Sequence, residues 1–142
     1  MKLRLQYNSI RLRLKRSEVE QFARLGRVEE RIVLGSSHDA TFHYTLEAAS
    51  EVPSPEVVVT ARSIIVRVPI RDAVRWASTD EVNIEDRQSV GGPATLRILI
   101  EKDFACLDGT EEQNADSFPN PLASRECRAQ STSGIRHDEY GT

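Results

Sequence analysis

The sequence contains few cysteines and no long apolar run, so it offers little for disulfide bonds, metal sites or membrane spans. Among 142 residues there are two cysteines, Cys106 and Cys127, and one tryptophan. The cysteines lie too far apart in sequence for the close ligand pairs of a structural zinc site. No apolar run approaches the roughly 20 residues that span a bilayer, and the charged and apolar residues that alternate at positions 2–5 are unlike the apolar region of a signal peptide. We therefore expect a cytoplasmic protein with no membrane partner.

Patterns for enzyme chemistry are also scarce. Gly91 and Gly92 precede a proline and no lysine, which indicates a turn and not a phosphate-binding loop. Of the three histidines, only His43 is placed to pair with Cys106, and a histidine on the polar face of a strand is usually just solvated. We therefore predict no catalytic residue and no cofactor, and we expect a non-enzymatic binding protein whose main partner is another protein.

What the sequence does contain is an internal repeat. Residues 3–48 align without a gap with residues 57–102, 54 positions later. The matched positions include Ser9 with Ser63, Ile10 with Ile64, Arg13 with Arg67, Ala23 with Ala77, Val28 with Val82 and Glu47 with Glu101, and Phe22 matches Trp76 in character. Such a duplication predicts two equivalent halves related by a pseudo-twofold axis, like a homodimer fused into one chain.

In each half, segments with the periodicity of a strand and of a helix follow one another in the same order. Two segments with period-2 alternation precede a short amphipathic stretch, and two more period-2 segments follow it. In the first half, Ser17 and Glu20 predict a capping box at the start of the helix, and Gly26 predicts its end. The pattern predicts an α+β fold made by tandem duplication of a strand–strand–helix–strand–strand unit. The strands should form mainly antiparallel sheets or a barrel, and those of the second half, which are more continuously apolar, should be covered on both faces.

The composition also predicts the extent of the domain. Residues 1–121 should form a single domain, with residues 103–121 as a segment that caps it. Residues 122–142 contain few apolar side chains and should form a disordered tail. A fused pseudo-dimer of this kind should be a monomer or a weak homo-oligomer.

Charge is distributed unevenly along the chain. Residues 1–31 carry nine Lys and Arg against four Glu, whereas residues 101–142 carry nine Asp and Glu against four Lys and Arg. One interpretation is a basic face for nucleic acid beside an acidic tail. The other is that Arg alternates with Leu only because the exposed face of a strand is polar.

The acidic end also contains the residues from which a metal or enzymatic site could be built. Asp103, Cys106, Asp108 and Cys127 combine thiolate and carboxylate ligands. The cysteines lack the close spacing of structural zinc ligands, and Cys106 is better explained as a small, mostly buried packing residue. A metal-binding or enzymatic site around Asp103 and Cys106 is therefore a further alternative.

Three strings of the sequence resemble a known family. They are NSIRLRL at 8–14, LRILIEKDFACL at 96–107 and FPNP at 118–121. Together they resemble a family of small bacterial proteins of unknown function, over about residues 1–121. The resemblance implies a bacterial cytosolic protein and supplies no activity.

A second resemblance concerns the first hairpin. The turn and strand at Asn8–Leu12 resemble the corresponding part of the swapped-hairpin AbrB/MazE-like DNA-binding fold, with Tyr7 where that group has glycine. The resemblance implies that Arg4, Arg11, Arg13, Lys15 and Arg16 contact phosphates. DNA binding through this basic hairpin is thus the main alternative to a protein partner, although the second half lacks several of these charges.

Overall fold

The computed structural model describes residues 1–122. Apart from Leu122, the predicted disordered tail of residues 122–142 therefore lies outside the described residues. The first half contains β1 Lys2–Gln6, β2 Ser9–Leu14, α1 Arg16–Leu25, β3 Arg27–Val33 and β4 Thr41–Ala49. The second half contains β5 Glu56–Val59, β6 Ser63–Pro69, α2 Ile70–Ser78, β7 Asn83–Ser89 and β8 Thr95–Lys102. A short helix, α3 Glu111–Asn114, follows. The predicted order of strands and helices is thus confirmed in both halves.

The strands of residues 1–122 form two four-stranded sheets and no closed barrel. Sheet A has the order β1-β2-β8-β7, and sheet B has the order β3-β4-β6-β5. Each sheet therefore combines the first hairpin of one half with the second hairpin of the other. Within each hairpin the strands are antiparallel, but the central pairs β2–β8 and β4–β6 are parallel. The sheets are mainly antiparallel, as predicted, while the parallel junctions were not expected.

The two central junctions have equivalent registers. Ser9 lies opposite Arg97 in sheet A, and Ser63 lies opposite His43 in sheet B. Since Ser63 is 54 positions after Ser9 and Arg97 is 54 positions after His43, the same offset relates both partners. The backbone pairing thus has the pseudo-twofold relationship that the sequence repeat predicts.

The gapless alignment is wrong in the third strand of each half. Val28 pairs with Leu46, and its structural equivalent is Ile84, which pairs with Ile100. Val28 and Ile84 are both buried, whereas Val82, which the alignment matches to Val28, precedes β7 and is 42% exposed. The loop before β7 is longer than its counterpart and the loop after it is shorter, which shifts the strand by two positions.

The start of α1 also differs from the prediction. The helix begins at Arg16, so Ser17 lies inside it and does not cap it. The side chain of Glu18 accepts a hydrogen bond from the backbone N–H of Lys15 at 2.8 Å, which satisfies one donor at the helix start and replaces the predicted Ser17–Glu20 box. At the other end, Gly26 has φ of 70° and its N–H bonds the carbonyl of Phe22, as predicted.

The core is formed by the inward faces of both sheets and by the two helices. The fully buried side chains include Leu12, Leu14, Ile98 and Ile100 in sheet A and Leu46, Val66 and Val68 in sheet B. Between the helices, Phe22 of α1 meets Trp76 of α2, and both rings are buried. Trp76 also donates a hydrogen bond from Nε1 to the carbonyl of Val82.

The prediction that the strands of the second half are covered on both faces is wrong for β5. This strand lies at the edge of sheet B, and Val58 and Val59 are 41% and 69% exposed. Part of its free edge is occupied by Gln88 of sheet A. The Gln88 amide accepts a hydrogen bond from the Val57 N–H at 2.7 Å and donates one to the Val57 carbonyl at 3.2 Å. The side chain thus pairs with β5 as a neighbouring strand would, and it links the two sheets.

Residues 1–103 form one compact unit, and a second unit begins at Phe104. Within the second unit, Phe104 forms a bridge with Phe118, and their rings lie 6.2 Å apart. Asn114 exchanges hydrogen bonds with the backbone N–H and carbonyl of Cys106. The expectation of one domain over residues 1–121, with residues 103–121 as a cap, stays a prediction.

Candidate nucleic-acid interface

The solvent side of sheet A carries most of the predicted basic residues. Because side chains alternate across a strand, residues at every second position share this outer face. Its cations are Lys2, Arg4, Arg11, Arg13, Arg87 and Arg97, and its anions are Glu85 and Glu101, with Asp103 just after β8. We call this set of nine residues the basic face. It has an excess of three positive charges.

Two of the predicted arginines share one carboxylate. Arg11 and Arg13 donate from Nε to Oε1 of Glu101 at 2.6 and 3.0 Å. The strand pairing explains the contact, because Arg13 lies directly opposite Glu101 on the parallel neighbour. One carboxylate charge is therefore shared by two guanidinium groups, and it can neutralise only one of them. Next to them, Lys2 lies 3.3 Å from the carboxylate of the largely buried Asp103.

The opposite side of the basic face contains a second ion pair. Arg97 donates from Nε to Glu85 at 2.7 Å. The hydrogen bond from Arg97 holds the pKa of the Glu85 carboxyl below its ordinary value, while burial opposes this shift. Arg4 bonds only the neutral Gln6, and Arg87 forms no ion pair within residues 1–122. In the described part of the chain these last two arginines form no ion pair, although the charge of Arg87 helps to lower the pKa of Glu85.

The other two predicted phosphate ligands lie elsewhere. Lys15 precedes α1 and Arg16 begins it, and both are exposed. Neither belongs to a strand of sheet A. Conversely, the prediction missed Arg87 and Arg97, because only the pairing of β2 with β8 brings the last hairpin beside the first.

Sheet B provides an internal comparison, because its outer face is the pseudo-symmetric equivalent of the basic face of sheet A. Its cations are Arg27, Arg31 and Arg67, and its anions are Glu29, Glu47 and Glu56, with His43 on the same side. Arg27 pairs with Glu29 at 2.7 Å, and Arg67 pairs with Glu56 at 3.1 Å. This face has no charge excess when His43 is neutral. The excess of positive charge is thus specific to sheet A.

Each sheet also has a polar depression at the equivalent end. The one on sheet A has a volume of about 170 Å³ and is lined by Arg4, Gln6, Tyr7, Ser9, Arg11, Arg97 and Leu99. The one on sheet B has a volume of about 410 Å³ and is lined by Arg31, His38, Thr41, His43, Thr60, Arg62 and Ser63. In the larger depression, Arg62 lies 2.8 Å from Asp39 and His43 lies 3.3 Å from Glu29, so carboxylates already contact two of its basic groups.

The residues proposed for a metal or enzymatic site remain a prediction. Asp103 is largely buried and lies near Lys2 and Arg13, whereas Cys106 and Asp108 are exposed in the second unit, so the expected burial of Cys106 is wrong. Cys127 lies outside the described residues. Over residues 1–122, no group of three or more His, Cys, Asp or Glu side chains is placed to hold a metal ion.

The helices contribute an apolar groove of about 290 Å³. It is lined by Phe22, Ala23, Gly26, Ala48, Ile70, Ala73, Val74, Ala77 and Ser78. Ile70 and Val74 are 47% and 60% exposed at its border. Neither these helices nor α3 is long and apolar enough to cross a bilayer.

Comparison with known proteins identifies one family. Neither the curated proteins nor the solved structures contain a match to this chain. The likeness of Asn8–Leu12 to the AbrB/MazE-like fold therefore stays a prediction. One family model matches residues 1–122, the whole of the described chain. The protein thus belongs to the family of unknown function DUF7009.

Proposed function

We propose that this protein is a non-enzymatic nucleic-acid-binding protein that uses the basic face of sheet A. The observation that carries the proposal is the difference between the two equivalent outer faces. Sheet A has six cations against three anions, whereas sheet B has three of each. A purely structural requirement for polar strand faces would apply to both sheets and gives no reason for the difference.

The cations suit contacts with phosphates. Five of the six are arginines, whose planar guanidinium groups bind phosphate oxygens in a bidentate manner. Within residues 1–122, Arg4 and Arg87 form no ion pair, and Arg11 and Arg13 share the carboxylate of Glu101. Phosphates would therefore complete the neutralisation of charges that the protein leaves in excess. Such contacts position a nucleic acid without reading its sequence, and their strength falls as salt rises.

The proposal is tested by fluorescence anisotropy with labelled oligonucleotides over a series of salt concentrations. The variant is Arg4→Gln with Arg87→Gln, which removes two charges without breaking an ion pair. The matched control is Arg24→Gln with Arg31→Gln, which removes the same charge from exposed positions on α1 and sheet B whose side chains likewise form no ion pair within residues 1–122.

We expect the slope of log affinity against log salt to fall by roughly 1.4 to 1.8 in the variant, about 0.7 for each lost phosphate contact on a single strand and about 0.9 on a duplex. The control should change it by much less. Equal losses in both double variants would show that only net charge matters, and the proposed surface would then be wrong. No binding by the unaltered protein at low salt would reject nucleic-acid binding altogether.

Other expectations enter here as proposals. We infer that the two halves descend from one duplicated unit, since the same 54-residue offset relates the registers of both parallel junctions. A bacterial cytoplasmic location and a monomeric or weakly oligomeric state are consistent with this picture. The expected protein partner also stays a prediction, and the apolar groove between the helices is the surface on which to look for it.

A further inference from the structure

The turn between β1 and β2 holds an aromatic ring in an unusual place. Tyr7 is 92% exposed, and it has φ of 49° beside Asn8 with φ of 54°. Two consecutive residues with positive φ are typical of a type I′ hairpin turn, which favours Asn and Gly. A bulky side chain at such a position carries a cost in conformational energy. Folding alone therefore favours a different residue at position 7.

The turn is fixed to the neighbouring hairpin. The Asn8 side-chain amide donates to the Thr95 carbonyl at 2.6 Å, and the Arg97 N–H donates to the Asn8 carbonyl at 3.1 Å. Ser9 also bonds the carbonyl of Gln6 across the turn. These contacts hold the backbone that carries Tyr7 at the border of the basic face.

The surroundings of Tyr7 combine an aromatic ring with cations. The depression of about 170 Å³ is lined by Tyr7 together with Arg4, Arg11 and Arg97. On sheet B, the positions equivalent to Tyr7, Arg4, Arg11 and Arg97 are occupied by Ala61, Val58, Ile65 and His43. The ring and these three arginines are thus absent together from the equivalent positions, and the two arginines that line the depression on sheet B, Arg31 and Arg62, have no aromatic ring among the residues that line it with them except His38 and His43.

We propose that Tyr7 is a stacking platform for an unpaired base, so that the preferred ligand of the basic face is single-stranded nucleic acid. This inference rests on the proposed function and specifies its substrate class. An unpaired base can lie on the exposed ring while Arg4, Arg11 and Arg97 contact the flanking phosphates. Stacking of one base on an aromatic side chain contributes about 1–3 kcal/mol and tolerates any sequence. Paired bases in a duplex are already stacked on each other and gain nothing from the ring.

The test compares a labelled 12-nucleotide oligothymidylate with a labelled 12-base-pair duplex. Three variants separate stacking from other roles: Tyr7→Phe keeps the ring, Tyr7→Leu keeps an apolar side chain, and Tyr7→Asn places a residue that suits positive φ. We expect Tyr7→Phe to retain single-strand affinity. Tyr7→Leu and Tyr7→Asn should weaken it by about 5- to 150-fold, the equivalent of about 1–3 kcal/mol. Duplex affinity should stay within about twofold in all three, since its phosphate contacts are untouched.

Tyr7→Asn also controls for folding. Because asparagine tolerates left-handed backbone, this variant should unfold at the same or a higher denaturant concentration than the unaltered protein. A loss of single-strand affinity in a protein of undiminished stability therefore points to the ring. In NMR spectra, the ring protons of Tyr7 should move upfield on addition of oligothymidylate.

The outcomes are distinguishable. Single-strand affinity that is unchanged in Tyr7→Leu overturns stacking and leaves the basic face intact. A loss in Tyr7→Phe equal to that in Tyr7→Leu assigns the effect to the hydroxyl group and also overturns stacking. Absence of binding to both oligonucleotides by the unaltered protein rejects the proposed function itself.

Discussion

The rings of Phe22 and Trp76 meet edge to face, with centroids 6.2 Å apart and planes inclined by 66°. The two residues occupy the same position in the two halves, 54 positions apart in sequence. A residue that touches its own structural equivalent must lie close to the pseudo-twofold axis. The axis therefore passes between α1 and α2, where the helices pack.

This contact should give a measurable coupling energy. In a double-mutant cycle, Phe22→Leu and Trp76→Leu should each destabilise the protein by about 1–3 kcal/mol. The cycle should give a coupling of about 0.5–1.5 kcal/mol, because the edge-to-face pair contributes beyond burial of its area. Urea unfolding followed by circular dichroism measures the four proteins. A control cycle combines Phe22→Leu with Val59→Ala, at an exposed edge position, and the two losses of stability should be additive there. Equal coupling energies in both cycles would contradict a specific ring contact.

Gln88 should protect the edge of β5. Gln88→Ala removes both hydrogen bonds to Val57, and we expect a loss of about 1–3 kcal/mol in the free energy of unfolding. Hydrogen exchange of the Val57 amide should become faster, since that N–H loses its acceptor. Ser89→Ala, at the exposed neighbouring position, is the control. An unchanged Val57 exchange rate would mean that the Gln88 side chain does not hold this edge in solution.

Glu101 should limit the affinity of the basic face. Glu101→Gln removes the carboxylate that Arg11 and Arg13 share, and this should raise affinity for oligonucleotides by about fivefold, since one unit charge at 4 Å in water is worth about 1 kcal/mol. Glu47 is the pseudo-symmetric equivalent on sheet B, so Glu47→Gln makes the same change of charge on the other face. Anisotropy titrations should show little effect of Glu47→Gln. A decrease in affinity for Glu101→Gln would indicate that Glu101 positions the arginines for the ligand.

Lys102 should make stability depend on pH at alkaline values. Burial lowers the pKa of its amine, and the nearby Asp80 and Glu81 oppose this shift. The folded protein therefore releases this proton at a lower pH than the unfolded chain, whose lysines titrate near about 10.4. As pH rises through the folded pKa toward that value, the folded protein no longer has to bury a charged amine, and its free energy of unfolding increases. As pH falls, the amine is protonated in the folded protein and this gain in stability is lost.

The measurement compares the unaltered protein with Lys102→Met by urea unfolding at pH 7 and pH 10. Because methionine does not titrate, the unaltered protein should gain stability relative to the variant at the higher pH. The variant loses two interactions of Lys102 at both pH values. They are the hydrogen bond to the Thr79 carbonyl at 2.6 Å and the contact of the amine with the Trp76 ring, 5.7 Å from its centroid. A stability difference that is constant or moves the other way would contradict the lowered pKa.

The order of strands and helices could be predicted from the sequence, but the position of the third strand could not. A shift of two residues preserves the alternation of inward and outward side chains, so Val82 and Ile84 satisfy the pattern equally well. Only the pairing with Ile100 distinguishes them. The helix start differs for another reason: Lys15, which precedes α1, has no side-chain acceptor with which to cap it, so the sequence pattern favours Ser17, whereas Glu18 bonds the Lys15 N–H.

The candidate site could be predicted only in part. Arg4, Arg11 and Arg13 belong to one continuous hairpin, and their shared face follows from period-2 alternation. Arg87 and Arg97 reach the same face only through a parallel pairing between strands that lie far apart in the chain. No local pattern encodes that pairing, because each hairpin could equally have paired with the hairpin of its own half.

The exchange of hairpins has a consequence for synthesis of the chain. Ser9 and Arg97 face each other, so sheet A cannot be completed until the last hairpin has left the ribosome. Until then the nascent first hairpin exposes the edge of β2 and the apolar side chains of Ile10, Leu12 and Leu14. Such an intermediate is prone to pair with other chains, and contacts of this sequence separation slow folding. We therefore expect the first half alone to associate into dimers, in which a second copy supplies the missing hairpins.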